Sequence, residues 1–297
     1  MKIGTMVQEG RTLLSFEIFP PVRDADIASV YATARELSRL RPDFISVTYG
    51  AGGGGNRNTV STAAAVKKLC QVETLPHFTC VGASREAVRT TLEQMEEAGL
   101  ENILALRGDP SPADRGPARA YPYAVDLIRE VKSGALCIGA AAHPEGHIGC
   151  HDPARDLDHL KEKVAAGVDF LISQVFFDNT AFYRFRRRAY ARDIRCPLLA
   201  GIMPVLNKKQ VNRLIYLCGA SLPAAVIRLL VKYSHDPHSL RRAGIEYSVG
   251  QVADLLANGV QGIHLYTMNQ AEIAEEILAQ LPDFRLDRAG ESCCYGV

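Results

Sequence analysis

The sequence predicts a (β/α)8 barrel built as a single domain, and three observations carry the prediction. Eight short apolar or β-branched runs recur along the 297 residues, and helical patterns fill the stretches between them. Strand–helix alternation gives a parallel sheet, and eight such units are the number that closes a barrel. The runs are continuously apolar rather than alternating, as expected of strands covered on both faces. An open doubly wound sheet is the competing architecture. Its Gly-x-Gly-x-x-Gly turn after the first strand is missing, because that strand ends Glu17-Ile18-Phe19-Pro20-Pro21.

The expected strands are Leu13–Phe19, Phe44–Tyr49, His77–Val81, Ile103–Leu106, Leu136–Ala141, Phe170–Phe176, Leu198–Met203 and Gly262–Tyr266. Their starts lie roughly 25–35 residues apart until the last gap, the length of a strand, a helix and two connections. Apolar residues at helical spacing predict helices over Ile27–Leu40, Thr59–Cys70, Ser84–Ala98, Tyr123–Lys132, Ala154–Ala166 and Thr180–Arg192. Asp26 and Ser84 stand where N-caps are wanted. Gly99, Gly134 and Gly167 stand where a left-handed C-terminal cap is wanted. The longer gap before the last strand holds Lys208–Cys218, Pro223–Val231 and Ser239–Ala257, which predict extra helices there. The catalytic domain is expected to span 1–297, with 286–297 as a mobile C-terminal tail.

Composition excludes several classes. There are 34 Lys+Arg against 33 Asp+Glu, a net charge of +1, where a nucleic-acid protein shows a basic excess. The basic run Arg184–Arg188 therefore reads as a solvated helix face. No stretch approaches the ~20 apolar residues of a membrane helix, and no signal peptide opens the chain. A cytoplasmic protein is expected. Eight cysteines without a C-x-x-C pair give neither a disulfide scaffold nor a zinc ribbon. His77, His143 and His147 lack the spacing of a metal site. Cys293 and Cys294 fall in the expected tail.

A barrel places its active site at the carboxyl ends of its strands. The polar residues there are Glu17, Thr48, Tyr49, His77, Thr79, Arg107, Asp109, His143, Glu145, His147, Gln174, Tyr266 and Thr267. Glu17 lies between Phe16 and Ile18. A carboxyl set in apolar surroundings is raised in pKa and suits a general acid, although a solvent-facing Glu would fit the pattern too. Asp109 closes Arg107-Gly108-Asp109, either a site that approaches a ligand closely or a structural turn. The Gly52–Gly55 run has no following Lys-Ser/Thr and reads as a loop rather than a phosphate cradle.

Eight ordered blocks resemble the methylenetetrahydrofolate reductases. They are Ser15–Pro21, Ser46–Gly50, Pro76–Cys80, Ala105–Asp109, Tyr123–Leu127, Gln174–Asp178, Gly201–Val205 and His264–Asn269. The resemblance implies a flavin-bearing barrel that takes hydride from NADH or NADPH onto FAD. The hydride then passes to 5,10-methylenetetrahydrofolate, giving 5-methyltetrahydrofolate. It implies that Glu17 is the general acid that opens the methylene bridge. Asp109 would tune flavin and pterin, and Gln174 would meet both alternating substrates. Glu17, Thr48, Asp109 and Gln174 would bind substrate. FAD would be held by Thr48, His77, Arg107, Gly108, Asp109, Tyr123, Ala141, His143, His147, Asp156 and Lys163. A homo-oligomer is implied, and no metal.

Two residues depart from the relatives. His143 stands where many carry Tyr, and His titrates near neutrality, so flavin affinity is expected to be pH-sensitive. No aromatic stands near Leu230, where relatives pack one on the substrates; the next is Tyr233. These departures keep open a flavin- or folate-binding subunit that draws reductant from a partner protein. A related barrel flavoenzyme such as proline dehydrogenase is a further alternative. With the barrel filling the chain, no inhibition by S-adenosylmethionine is expected.

Overall fold

The computed structural model describes residues 1–21, 23–49, 57–109 and 120–284. The Gly52–Gly55 run, the tail 286–297 and its Cys293 and Cys294 lie outside them.

Eight parallel strands close in chain order into one barrel. They are β1 (Leu13–Ile18), β2 (Phe44–Val47), β3 (Glu73–Thr79), β4 (Asn102–Leu106), β5 (Cys137–Ala142), β6 (Phe170–Ser173), β7 (Leu198–Ile202) and β8 (Gly262–Tyr266). The helices are α1 (Ile3–Gln8), α2 (Ile27–Ser38), α3 (Arg57–Cys70), α4 (Arg85–Glu97), α5 (Ala124–Val131) and α6 (Pro153–Ala165). They continue as α7 (Asn179–Tyr190), α8 (Lys208–Cys218), α9 (Ala224–Lys232), α10 (Pro237–Ala257) and α11 (Ala271–Ala279). The expected closed barrel, and the extra helices before its last strand, are what the chain forms. The open sheet is excluded.

The period of two along each strand sorts its residues. Leu14, Phe16 and Ile18 join the large core between barrel and helices. Leu13 faces the barrel interior with Phe44, Leu75, Leu104, Phe170, Ile172 and Leu199. The same cluster takes in Ile3, Met6 and Val7, so α1 plugs the amino-terminal end of the barrel. Apolar filling stops there. Ser15, Ser46 and His264 are fully buried one layer higher, and Glu17 lies above them on the same strand face. The barrel is thus apolar at its floor and polar towards its mouth.

A separate apolar cluster joins Val175, Phe177, Met203 and Val205, beyond the carboxyl ends of β6 and β7, to Val211 of α8 and Val226 of α9. These extra helices therefore roof one side of the mouth. Glu145 accepts a hydrogen bond from Ser221 N (3.1 Å), tying the loop after β5 to the α8–α9 link.

Local expectations held unevenly. Ser84 caps α4 through a bond from Ala87 N. Asp26 does not cap α2 with its side chain; a 3-10 turn precedes the helix, and Asp26 pairs with Arg23 instead. Gly99 and Gly167 have φ of 67° and 117°, as left-handed caps require, whereas Gly134 is not among the positive-φ residues. Strand β3 begins at Glu73, four residues before the apolar run. Helix α1 and helix α11 were not expected.

Candidate active site

Two polar clusters lie at the mouth. The first surrounds Glu17 on β1. Glu17 Oε2 lies 3.5 Å from His77 Nε2 on β3 and 3.7 Å from His264 Nε2 on β8. His264 is in turn held from below, with Nδ1 2.8 Å from Ser15 Oγ and Nε2 3.4 Å from Ser46 Oγ. Tyr266 stands edge-on to the His264 ring and donates its hydroxyl to Ser173 O (2.9 Å). Burial, then Glu17 and Cys218, hold that phenol protonated. Burial pushes His77 down to about 4, against the pull of Glu17, so its imidazole is neutral at pH 7.

The second cluster is cationic and rises from β4, β5 and α6. Lys163 on α6 is buried and donates to Ala141 O (2.7 Å). Burial pushes its ammonium down to about 8, with Asp156 opposing. His143 and His147 stack edge to face with centroids 4.8 Å apart. Burial, then Lys163 and His147, push His143 down to about 3. The expected titration of His143 near neutrality is therefore corrected: a cation beside a desolvated imidazole keeps it uncharged. Burial also lowers His147, with Arg107 and Lys163 adding to it and Asp156 and Asp109 opposing. Residues 107, 109, 147, 156 and 163 thus share one electrostatic neighbourhood. Asp156 also accepts from His147 N (3.3 Å).

The remaining expected residues fall around these clusters. Thr48 follows β2 and is buried, and Thr59 donates to its carbonyl (3.1 Å). Gly108 has φ 80°, and a Cβ there would lie 2.8 Å from Thr79 Cβ, so only glycine fits against β3. Asp109 is exposed and close enough to Cys218, at the end of α8, to raise that thiol after burial has done so. Gln174 directly follows β6, its N donating to Ala142 O (2.7 Å) and its Oε1 accepting from Val175 N (2.8 Å). Tyr123 is 60% exposed at the start of α5, and its carbonyl accepts from Cys80 Sγ (3.6 Å). Tyr123 is thereby placed beside the end of β3, where the same thiol also reaches Arg107 O (3.9 Å). Leu230 belongs to the apolar roof.

His264, Ser15 and Ser46 were not foreseen as site residues. Their signal was the register: in β8 His264 and Tyr266 share a face, and in β1 Ser15 and Glu17 share another.

Comparison with known proteins identifies the family and the fold. The family model of methylenetetrahydrofolate reductase matches residues 2–282. A 5,10-methylenetetrahydrofolate reductase of Pectobacterium carotovorum is 36% identical over 271 residues, covering 91% of this chain and 90% of the relative. Methylenetetrahydrofolate reductase (NADH) 1 of Arabidopsis thaliana is 31% identical, covering 94% of this chain and 50% of the relative. Among solved structures, a Clostridium thermocellum protein that binds two copies of 5-methyl-5,6,7,8-tetrahydrofolic acid superposes with a TM-score of 0.70. It is 13% identical over 96% of this chain and 99% of that one, which is a likeness of fold. Nearly the whole described barrel is matched at this identity, and the chain belongs to the methylenetetrahydrofolate reductase family.

Proposed function

We propose that the chain binds FAD and reduces 5,10-methylenetetrahydrofolate to 5-methyltetrahydrofolate with hydride from NADH or NADPH, in two alternating half-reactions. The observation that carries this reading is Glu17, partly buried between two imidazoles at the mouth of a barrel. Family membership sets aside the proline-oxidising barrel.

The residues fit a flavin dinucleotide. Thr48 Oγ1 and His77 Nε2 are buried without a hydrogen-bond partner among the described residues, and would be free to meet the cofactor. Lys163 and Arg107 would hold the pyrophosphate, with Gly108 and Ala141 leaving backbone close to the cofactor. His143, His147, Asp156 and Tyr123 complete the proposed set. When bound, the flavin supplies a hydride acceptor for one substrate and a hydride donor for the other.

The protein's own part is proton placement and orientation. Glu17 gives a proton to N10 of the folate, and the C–N10 bond breaks to leave an iminium at N5. Addition of hydride to that carbon then makes the N5-methyl group, and solvent returns the proton to Glu17. Asp109 bears its charge near the reacting rings, and Gln174 orients each substrate in turn. The proposal extends to a homo-oligomer in the cytoplasm. Among the described residues no helix is long and apolar enough to cross a membrane.

The test is Glu17→Gln, assayed in each half-reaction separately. Folate reduction should stop while reduction of the flavin by nicotinamide continues. Equal loss in both would remove Glu17 from the acid's role. A second reading has one observation in its favour. Tyr216, Leu217, Ile227 and Val231 leave large apolar surface exposed on α8 and α9, a face onto which a reductant-supplying partner could dock. Oxidation of NADH or NADPH by the purified chain alone, with a dye acceptor, would exclude that reading.

A further inference from the structure

We infer that Asn269 and Thr267, where the chain leaves β8, are positioning residues that fix the backbone of Glu17 and so aim its carboxyl. The inference rests on the reading of Glu17 as the acid of folate reduction.

The β1–β8 ladder ends at the pair Glu17–Tyr266. Beyond it β1 runs through Ile18 and Phe19 into Pro20 and Pro21, which have no N–H to offer. Side chains take over at this seam. Thr267 Oγ1 donates to Glu17 O (2.8 Å). Asn269 then grips Phe19 with both ends of its amide: Phe19 N donates to Oδ1 (2.8 Å), and Nδ2 donates to Phe19 O (3.2 Å). The carbonyl of residue 17 and both backbone groups of residue 19 are thus held from β8.

The chain adopts an unfavourable conformation to reach them. Met268 and Asn269 have φ of 54° and 58°, two successive non-glycine residues in the left-handed region. Asn tolerates that region, but Met gains nothing there and is strained. The turn is closed by Gln270 N bonding to Thr267 O (2.9 Å), and Thr33 Oγ1 reaches Asn269 O (3.5 Å). A plain barrel seam needs no such turn. This one stands directly beside the residue whose carboxyl must meet the substrate nitrogen, and strained backbone gathers at such places. A displacement of about 1 Å in a reacting group can cost about 100-fold in rate.

Asn269→Gly removes the amide and frees the turn, since glycine enters the left-handed region without strain. Its folding should survive. Flavin reduction by nicotinamide should stay within about twofold, while folate reduction at saturating folate falls about tenfold or more, in kcat rather than KM. Thr267→Val should do the same, and Thr267→Ser, which keeps the hydroxyl, should restore the rate. This last pair decides the matter even where Asn269→Gly folds poorly. Wild-type folate rates in both Asn269→Gly and Thr267→Val would overturn the inference, as would equal losses in both half-reactions that track a fall in unfolding midpoint. Glu17→Gln run alongside separates the two claims. If it leaves folate reduction intact, the acid assignment fails and the inference with it. If it blocks folate reduction while the seam variants do not, the inference alone fails.

Discussion

His77→Gln should make the protein less sensitive to acid. His77 is 9% exposed, and burial pushes it from 6.5 down to about 4 in the folded state. Above pH 6.5 the imidazole is neutral whether the chain is folded or not, and it costs nothing. As pH falls below 6.5 the unfolded chain binds a proton that the folded chain refuses. Stability is then lost at about 1.4 kcal/mol per pH unit until pH reaches the folded value near 4. The whole shift corresponds to roughly 3 kcal/mol. His143, pushed down to about 3, adds a similar term over the same range. Urea unfolding at about pH 7 and about pH 4.5 measures the loss. The wild-type chain should lose roughly 2–3 kcal/mol more than His77→Gln between these two conditions. An equal loss in both would mean that His77 takes up its proton as readily in the folded chain as in the unfolded one, and the downward push assigned to its burial would be wrong.

Three further outcomes follow from the cationic cluster and the turn after β4. Lys163 titrates near 8 in the free chain, and an anionic cofactor binds the ammonium form. FAD affinity should therefore weaken as pH rises above about 8, and Lys163→Met should bind weakly with no such dependence; an unchanged affinity would remove Lys163 from the site. Gly108→Ala should destabilise the fold by about 2 kcal/mol or more, because its Cβ would meet Thr79 in a left-handed backbone; an unshifted urea midpoint would contradict this. Asp109→Asn should change the rates of both half-reactions in stopped-flow if Asp109 has the tuning role proposed for it, and unaltered rates would exclude that role.

The architecture was legible because each strand is buried on both faces and each helix on one, so the two periods alternate plainly along the chain. What escaped has physical causes. Helix α1 is six residues long, too short for a helical period to emerge, and it is held by the barrel floor rather than by its own pattern. Strand β3 starts at Glu73 because pairing with β2 recruits Thr74, Leu75 and Pro76, which carry no continuous apolar signal. The candidate site was legible where polar residues stand at or just past the carboxyl ends of strands, as at Glu17, Arg107 and Gln174. It was hidden where they lie inside one. His264 sits between Ile263 and Leu265 in an apolar run, and only the barrel's closure brings it under Glu17 with Ser15 and Ser46. His143 misled in another way. Its residue type pointed to titration near neutrality, but burial beside Lys163 and His147 overrides the type.

The central claim is that a flavin held by this barrel passes hydride from a nicotinamide to the folate. The visible spectrum of the purified chain, taken anaerobically with NADH, then NADPH, then 5,10-methylenetetrahydrofolate, tests it most directly. The account predicts a bound flavin that bleaches with at least one nicotinamide and regains its colour with the folate. A flavin that bleaches only with dithionite would contradict the proposed reductant, and a chain purified and reconstituted without any flavin absorbance would contradict the account as a whole.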